Sequence, residues 1–115
     1  MNIAAQRIES ALNANTDLQA LVNGQHFWEL APDNIKGFYV AYRILENPGV
    51  TKNAKRSFEV THWCYGPSLT QVSALSELVK QASENNGQYF LGAESGYLDN
   101  DTKEAFIKLI FKFNL

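Results

Sequence analysis

From Ser57 to Tyr65, mostly apolar side chains alternate with polar or large aromatic ones. This alternation constrains the fold more than any other stretch of the chain. Successive residues of a β-strand point to opposite faces of a sheet, so every second residue shares a face. One face of this predicted strand carries Phe58, Val60, His62 and Cys64, and the other carries Glu59, Thr61, Trp63 and Tyr65. The first face is mostly apolar, so we predict a sheet that packs a core on that side.

The same stretch holds the residue types of a small catalytic site. It contains the only cysteine, Cys64, and one of two histidines, His62, with Glu59 three residues earlier. Strand geometry places Glu59 and His62 on opposite faces. His62 and Cys64 share a face, but their Cβ atoms would lie about 7 Å apart, too far for a relaxed thiol–imidazole hydrogen bond. We therefore interpret Cys64 as a core residue and His62 as a hydrogen-bonded or partly exposed sheet residue.

No other pattern in the chain predicts catalysis or metal binding. The second histidine, His26, lies in another segment, so the histidines and the cysteine lack the local spacing of a zinc site. The segment Gly92 to Gly96 resembles a nucleophile elbow only loosely, because its Ser95 is not central. The acidic segment Asp99 to Glu104 lacks the glycine and the final acid of a calcium loop. We predict that the protein is not an enzyme and has no catalytic residue, metal or cofactor.

Two stretches have the apolar spacing of amphipathic helices, residues 3–12 and residues 69–82. The second follows a capping-box pattern that begins at Ser68. A similar pattern at Thr16 predicts a short helical turn after the first helix. The chain is therefore expected to contain two principal helices.

Four further segments are rich in β-branched and aromatic residues and predict strands. They are His26–Leu30, Gly37–Leu45, Gln88–Gly92 and Glu104–Phe113. The resulting order, α-β-β-β-α-β-β, predicts an α+β fold with a mostly antiparallel sheet and two helices packed on one face. With 115 residues in total, the chain is expected to be a single domain, residues 1–115.

Composition excludes several classes of partner. The net charge is −2 and the isoelectric point is about 5.6, so no electrostatic footprint for nucleic acid or for a membrane surface is visible. The first residues include Arg7 and Glu9 and lack the apolar run of a signal peptide. One cysteine cannot form an internal disulfide. We expect synthesis in the cytoplasm.

The second face of the predicted sheet carries large aromatic residues that two short helices cannot cover. Either another subunit or the chain's own loops are expected to cover it. The basic residues between Glu46 and Arg56 form either a solvated hairpin tip or a contact to a partner or to passing nucleic acid. The candidate contact residues are Trp28, Tyr39, Lys52, Lys55, Arg56, Trp63 and Tyr65.

The order and spacing of these segments resemble a known family. The first helix runs into "LNANTDLQALVNGQHFWELAP", the strand "GFYVAYRI" follows, and "SFEVTHWCYGPSLTQVSALSELVKQA" joins a strand to the long helix. This arrangement is similar to the small tail-completion proteins of long-tailed bacteriophages, of the tail terminator or head–tail joining type. The resemblance covers nearly the whole chain. Gly37 stands where the family often has proline, which is a departure from its pattern.

The resemblance implies a structural function without catalytic residues. It implies a homo-oligomeric ring, commonly of six subunits, at the end of the tail tube or at the head–tail neck. Such a ring ends tail polymerisation and joins the tail tube protein to head connector or adaptor proteins, with a passing contact to DNA in the channel. The implied location is the virion, after synthesis in the cytoplasm of a bacterial host, with no membrane partner.

Two alternatives come from other classes of protein. One is a small cytoplasmic α+β module that binds or regulates a single partner as a monomer or dimer. The other is a small enzyme that uses His62 and Cys64. The alternatives differ in assembly, because only the phage structural protein is expected to close a ring.

Overall fold

The computed structural model describes residues 3–29, 37–47, 56–99 and 104–114, and these residues form three helices and five strands. The helices are α1 (Ile3–Asn13), α2 (Thr16–Val22) and α3 (Leu69–Asn85). The strands are β1 (His26–Trp28), β2 (Tyr39–Asn47), β3 (Ser57–Gly66), β4 (Tyr89–Asp99) and β5 (Glu104–Asn114). The predicted α+β class is confirmed. The helical turn expected after α1 is a separate seven-residue helix.

The strands form one mostly antiparallel sheet in the order β1-β2-β3-β5-β4. β1 runs parallel to β2, and every other neighbouring pair is antiparallel. The register places Val40 beside Cys64 and Cys64 beside Ile107, so these three residues share one face. The long strand β3 lies at the centre of the sheet and pairs with β2 on one side and β5 on the other. Its residues alternate strictly between buried and half-buried.

All three helices contribute to a single core on one face of the sheet. The alternate residues of β3 on that face, Phe58 through Cys64, are buried, whereas the residues between them are half-buried. The helices add apolar residues at helical spacing: Ala4, Ile8, Leu12, Leu18, Val22, Val72, Leu75, Val79 and Ala82. We call this side of the sheet the helix-covered face and the other side the open face.

The N-terminus of α2 differs from the prediction by one residue. Asn15, rather than Thr16, is the cap, with extended backbone at φ −95° and ψ 106°. Its Oδ1 accepts a hydrogen bond from the Leu18 amide at 2.9 Å. Asparagine is among the best capping residues, so it competes successfully with the neighbouring threonine. Gln19 instead donates from Nε2 to the Leu12 carbonyl at 3.0 Å and ties α2 to the end of α1.

The start of α3 is as predicted. The Ser68 hydroxyl accepts a hydrogen bond from the Gln71 amide at 3.3 Å, and its backbone is extended as a cap requires. Ser76 is buried although it is polar, and its hydroxyl donates to the Ser73 carbonyl at 2.8 Å. A local hydrogen bond of this kind allows a serine to lie against the core.

β4 is longer than the sequence predicted. The expected strand ended at Gly92, but β4 continues to Asp99 and includes the whole segment Gly92 to Gly96. Pairing with β5 maintains this length, since Gly92 lies opposite Ile110 and Gly96 lies opposite Phe106. A register shift between Phe90 and Gly92 marks a bulge at Leu91. Ser95 therefore lies within a paired strand and not on a strand-to-helix turn.

Candidate interaction surface

The open face carries a row of aromatic rings that crosses three neighbouring strands. The Tyr39 and Tyr65 rings stack with centroids 4.5 Å apart and an interplanar angle of 17°. The Tyr65 and Phe106 rings are tilted, with centroids 6.5 Å apart. Backbone register explains this row, because Tyr39 pairs with Tyr65 and Tyr65 pairs with Phe106. We call Tyr39, Tyr65 and Phe106 the aromatic row.

Gly96 makes room for the end of the aromatic row. It lies opposite Phe106 in the β4–β5 register. A Cβ atom at residue 96 would lie 2.9 Å from Cε1 of Phe106, which is closer than side-chain atoms normally approach. The Phe106 ring therefore covers the backbone of β4 at this point. Glycine at residue 96 allows this close approach, because it has no side chain to collide with the ring.

The next row across the open face combines an aromatic residue with an ion pair. Ala41, Trp63, Lys108 and Glu94 are aligned by the register of the four strands. The Lys108 ammonium lies 3.2 Å from Oε2 of Glu94, and the carboxylate side chain is 69% exposed. An ion pair this exposed contributes little stability. The open face thus changes from apolar to charged along the strands.

The two tyrosines of the aromatic row remain neutral. Burial, followed by the charge of Glu104, raises the pKa of Tyr39. Burial is also the main cause of the raised pKa of Tyr65, with smaller contributions from Tyr39 and Cys64. Both phenols therefore keep their protons near neutral pH. Neutral aromatic residues with one polar atom are enriched in protein interfaces.

The structure brings together three of the seven candidate contact residues. Tyr39, Trp63 and Tyr65 are half-buried neighbours on the open face. Trp28 is 38% exposed on the edge strand β1, and the β1–β2 register places it beside Tyr42, away from the open face. Lys52 and Lys55 lie outside the described residues. Trp28 therefore lies apart from Tyr39, Trp63 and Tyr65.

Arg56 lies near the opposite end of β3 from the aromatic row. Its guanidinium forms a two-point ion pair with Glu46, with donor–acceptor distances of 2.8 and 3.1 Å. It also lies 5.1 Å from the centroid of the Phe58 ring. These contacts join the two strands of the β2–β3 hairpin. Both charged side chains are well exposed, so the pair has a small effect on stability.

Phe106 and Gly96 belong to this surface but were not among the candidate contact residues. Alternation along β5 placed Phe106 on the second face, and that part could be read from the sequence. The residue opposite Phe106 could not be predicted from the sequence, because it depends on the register between β4 and β5. That register includes a bulge at Leu91, which shifts the residues from Gly92 to Tyr97 to the other face.

The pair His62 and Cys64 lies in the core and not at a reactive surface. Both are fully buried. Burial raises the pKa of the Cys64 thiol, so it stays protonated and is a poor nucleophile. This supports the interpretation of Cys64 as a core residue.

The interpretation of His62 was wrong in one respect. The residue is neither exposed nor hydrogen-bonded, since neither ring nitrogen has a partner among the described residues. Its ring instead lies between Tyr42 and Phe111, with centroid distances of 5.9 and 5.7 Å. Burial, and to a smaller extent His26, lower the His62 pKa to about 3. The imidazole is therefore neutral and packs as an aromatic side chain.

A cluster of three polar side chains, Glu9, His26 and Tyr42, lies on the helix-covered face and connects α1 to β1 and β2. The buried Tyr42 hydroxyl donates a hydrogen bond to Oε1 of Glu9. Nδ1 of His26 lies 2.7 Å from Oε2 of the same carboxylate, and this contact is an ion pair when the imidazole is protonated. Burial and the Glu9 contact raise the pKa of Tyr42. The cluster holds the first helix on the sheet.

The described part of the chain has neither a metal-ligand cluster nor a membrane-spanning helix. Its residues contain no group of three or more His, Cys, Asp or Glu side chains that could hold a metal ion. Among the helices described here, none has both the length and the apolar character needed to cross a membrane. The open face is therefore the surface that we take as the candidate site.

Comparison with known proteins identifies the fold. No family model and no curated protein matches the chain. A solved chain of the virion of the native gene transfer agent particle is similar, with 18% sequence identity and a TM-score of 0.74. The match covers 93% of this chain and 90% of that chain. Bacteriophage SPP1 gp17 protein also matches, with 18% identity over 98% of this chain and 93% of that one, at a TM-score of 0.48. The chain shares the fold of the gene transfer agent virion protein, and the resemblance predicted from the sequence is confirmed at the level of the fold.

Proposed function

We propose that the protein is a structural component of a phage or phage-like virion and assembles with copies of itself into a ring. The observation that carries this proposal is the shared fold with a protein of the gene transfer agent virion over 93% of the chain, at a TM-score of 0.74. The ring would lie at the end of the tail tube or at the head–tail neck, and six copies are the expected number. Its function is binding, without catalysis.

The open face supports an assembly function. A single chain leaves Tyr39, Tyr65, Phe106 and Trp63 half-buried on a sheet face opposite the helices. Tyrosine, tryptophan and phenylalanine are enriched at the centre of protein interfaces, where their large surfaces are removed from water. We propose that a neighbouring subunit or another virion protein completes the cover of this face.

The proposed partners are the tail tube protein on one side of the ring and head connector or adaptor proteins on the other. DNA passing through the channel is a further contact, for which Lys52, Lys55 and Arg56 are the candidate residues. Arg56 is already paired with Glu46, so its charge is partly neutralised. Its contribution to DNA contact is expected to be small.

Gene deletion in the phage or bacterial genome that encodes the chain tests the proposed function. A stop codon early in the reading frame should give particles in which tail tubes have uncontrolled length or remain separate from heads. Supply of the intact chain from a second copy should restore joined particles. Normal particles in the absence of the chain would show that the virion role is wrong.

A further inference from the structure

β4 forms one edge of the sheet and lacks the usual protection of such an edge. Its eleven residues contain no lysine, arginine or proline. Natural edge strands are commonly shortened or carry lysine, proline or bulges, because unpaired backbone groups readily add another strand. β4 has register irregularities at Leu91 and at Leu98, and the six residues between them pair only with β5 among the described strands. Tyr89, Leu91 and Tyr97 are each more than half exposed.

β1 forms the opposite edge and is short and aromatic, with the sequence His26-Phe27-Trp28. The Val40 amide donates to the Gln25 carbonyl at 3.0 Å, and the Glu29 amide donates to the Tyr42 carbonyl at 2.6 Å. Alternate residues of a strand direct their backbone groups to the same side. Because Gln25 and Glu29 bond towards β2, the backbone groups of Trp28 point outward.

The two edges are complementary in side-chain size. Four of the five residues 92–96 at the centre of β4 are small, Glu94 being the exception, whereas β1 carries Phe27 and Trp28 beside a His26 ring that is buried against Glu9. The Cβ position of Gly92 has no atom within 4 Å. Space for a ring from another strand is therefore open at Gly92, in contrast to Gly96, where Phe106 already fills it. Large side chains packed over small ones give the interdigitation found in well-packed interfaces.

Strand direction is also compatible with pairing between β4 and β1 of different copies. β1 and β2 run in one direction, β3 in the other, β5 in the first direction and β4 in the second. Rotation about an axis that runs along the strands preserves these directions. β4 of one copy would therefore meet β1 of the next as an antiparallel neighbour, which is the more stable arrangement.

We propose that β4 of one copy pairs with β1 of the next, so that the aromatic side chains of β1 lie over the small centre of β4. This inference rests on the proposed ring and names its contact. The contact joins two different surfaces, so it leaves one free edge of each kind until the ring closes. Pairing of β4 with β4 would instead join identical surfaces and stop at two copies.

Cysteine cross-linking tests which edges meet. Trp28→Cys places a thiol on β1, and Ala93→Cys or Ser95→Cys places one on β4. The register puts Trp28, Ala93 and Ser95 on the helix-covered side of the sheet. Under mild oxidation, an equal mixture of the β1 variant and a β4 variant should form a covalent dimer, whereas neither variant should do so alone. The wild-type chain is the control, because its single cysteine is buried.

A second variant avoids any loss of folding caused by removal of Trp28. Ala93→Lys adds a charge at the exposed centre of β4 and should weaken self-association at least about tenfold. Ala20→Lys, at an exposed position on α2, is the matched control and should leave self-association unchanged. Circular dichroism spectra should show that both variants fold.

The outcomes separate the edge contact from the ring itself. A covalent dimer from a β4 variant alone would overturn the inference in favour of β4–β4 pairing. A ring observed by native mass spectrometry without cross-links in the mixture, and without an effect of Ala93→Lys, would overturn the edge contact and leave the proposed function standing. A chain that stays monomeric at every concentration, and also when tail tube and connector proteins are added, would contradict both.

Discussion

The Phe106 ring lies over Gly96, its neighbour across the β4–β5 pair. A Cβ atom at residue 96 would come within 2.9 Å of this ring, so Gly96→Ala should force Phe106 to move from its place over β4. Overpacking of this kind costs about 1–3 kcal/mol of unfolding free energy. Urea denaturation of the variant measures the loss.

Gly92→Ala is the matched control for this prediction. It lies in the same strand, and nothing occupies its Cβ position within 4 Å. Its unfolding free energy should equal that of wild type or exceed it by up to about 1 kcal/mol, because alanine loses less backbone entropy than glycine when a strand forms. Equal effects of the two substitutions would show that the Phe106–Gly96 contact is not the cause.

Arg7 connects α1 to the end of α3 and to the end of β5. It donates from Nε to Oδ1 of Asn86 and from Nη2 to the Asn86 carbonyl, both at 2.9 Å. Nη1 donates to the Asn114 carbonyl at 2.8 Å. Lysine lacks this planar fork of donors, so Arg7→Lys should destabilise the fold by about 1–3 kcal/mol despite the retained charge.

Arg43→Lys provides the comparison for Arg7→Lys, since Arg43 is exposed on the open face. Its effect on stability should be within about 0.5 kcal/mol. Thermal unfolding of both variants in the same buffer measures the two changes in stability. A neutral result for Arg7→Lys would mean that a single charge, without the fork of donors, holds these elements together.

His62 should make folding sensitive to acid. Its pKa is lowered from 6.5 to about 3 in the folded protein. Between these values the unfolded chain binds a proton that the folded chain does not, so stability falls as pH decreases through this range. The slope due to one such group is at most about 1.4 kcal/mol per pH unit.

The variant His62→Phe isolates this effect from other titrating groups, among them His26 and Glu9 in the neighbouring cluster. Its ring can occupy a similar space without a proton to bind. Urea unfolding between pH 7 and pH 4, in single pH steps, should give a shallower loss of stability for the variant than for wild type. Parallel curves for the two proteins would contradict a buried, neutral imidazole.

Tyr65 is the central ring of the aromatic row, so its removal should affect assembly. Tyr65→Ala breaks the stacked contact with Tyr39 and the tilted contact with Phe106. Where a neighbouring subunit covers the open face in addition to the β4–β1 contact, truncation of its central aromatic residue should weaken self-association by about tenfold or more. Sedimentation velocity over a concentration series measures this.

Leu45→Ala is the control for the open face. Leu45 is 55% exposed at the other end of the face, away from the aromatic row. It should leave the assembly constant within about twofold of wild type. Loss of assembly in Leu45→Ala but not in Tyr65→Ala would move the interface away from the aromatic row.

Periodicity predicted much of the fold correctly. Alternation in β3 identified the core face on which Val60 and Cys64 are buried, and helical spacing identified the core stripe of α3 from Val72 to Ala82. These patterns are reliable because burial repeats at every second residue of a strand and at every third or fourth residue of a helix.

The errors arose where a local pattern was outweighed by contacts elsewhere in the fold. The predicted strand ended at Gly92, but pairing with β5 continues it as β4 to Asp99. His62 looked like a residue that needs a hydrogen-bond partner, yet its ring is enclosed between Tyr42 and Phe111. The open face was anticipated from its aromatic residues, whereas the alignment of Tyr39, Tyr65 and Phe106 required the register.

Native mass spectrometry across a concentration series, with negative-stain images of the largest species, is the most direct test of whether copies of the chain close a ring. We expect a discrete closed ring, with six subunits the expected number, and the wild-type ring should persist at greater dilution than that of the Tyr65→Ala variant. A protein that remains a monomer or a dimer at every concentration, and also when tail tube and connector proteins are added, would contradict this expectation. The alternative of a small binding module would then describe the chain better.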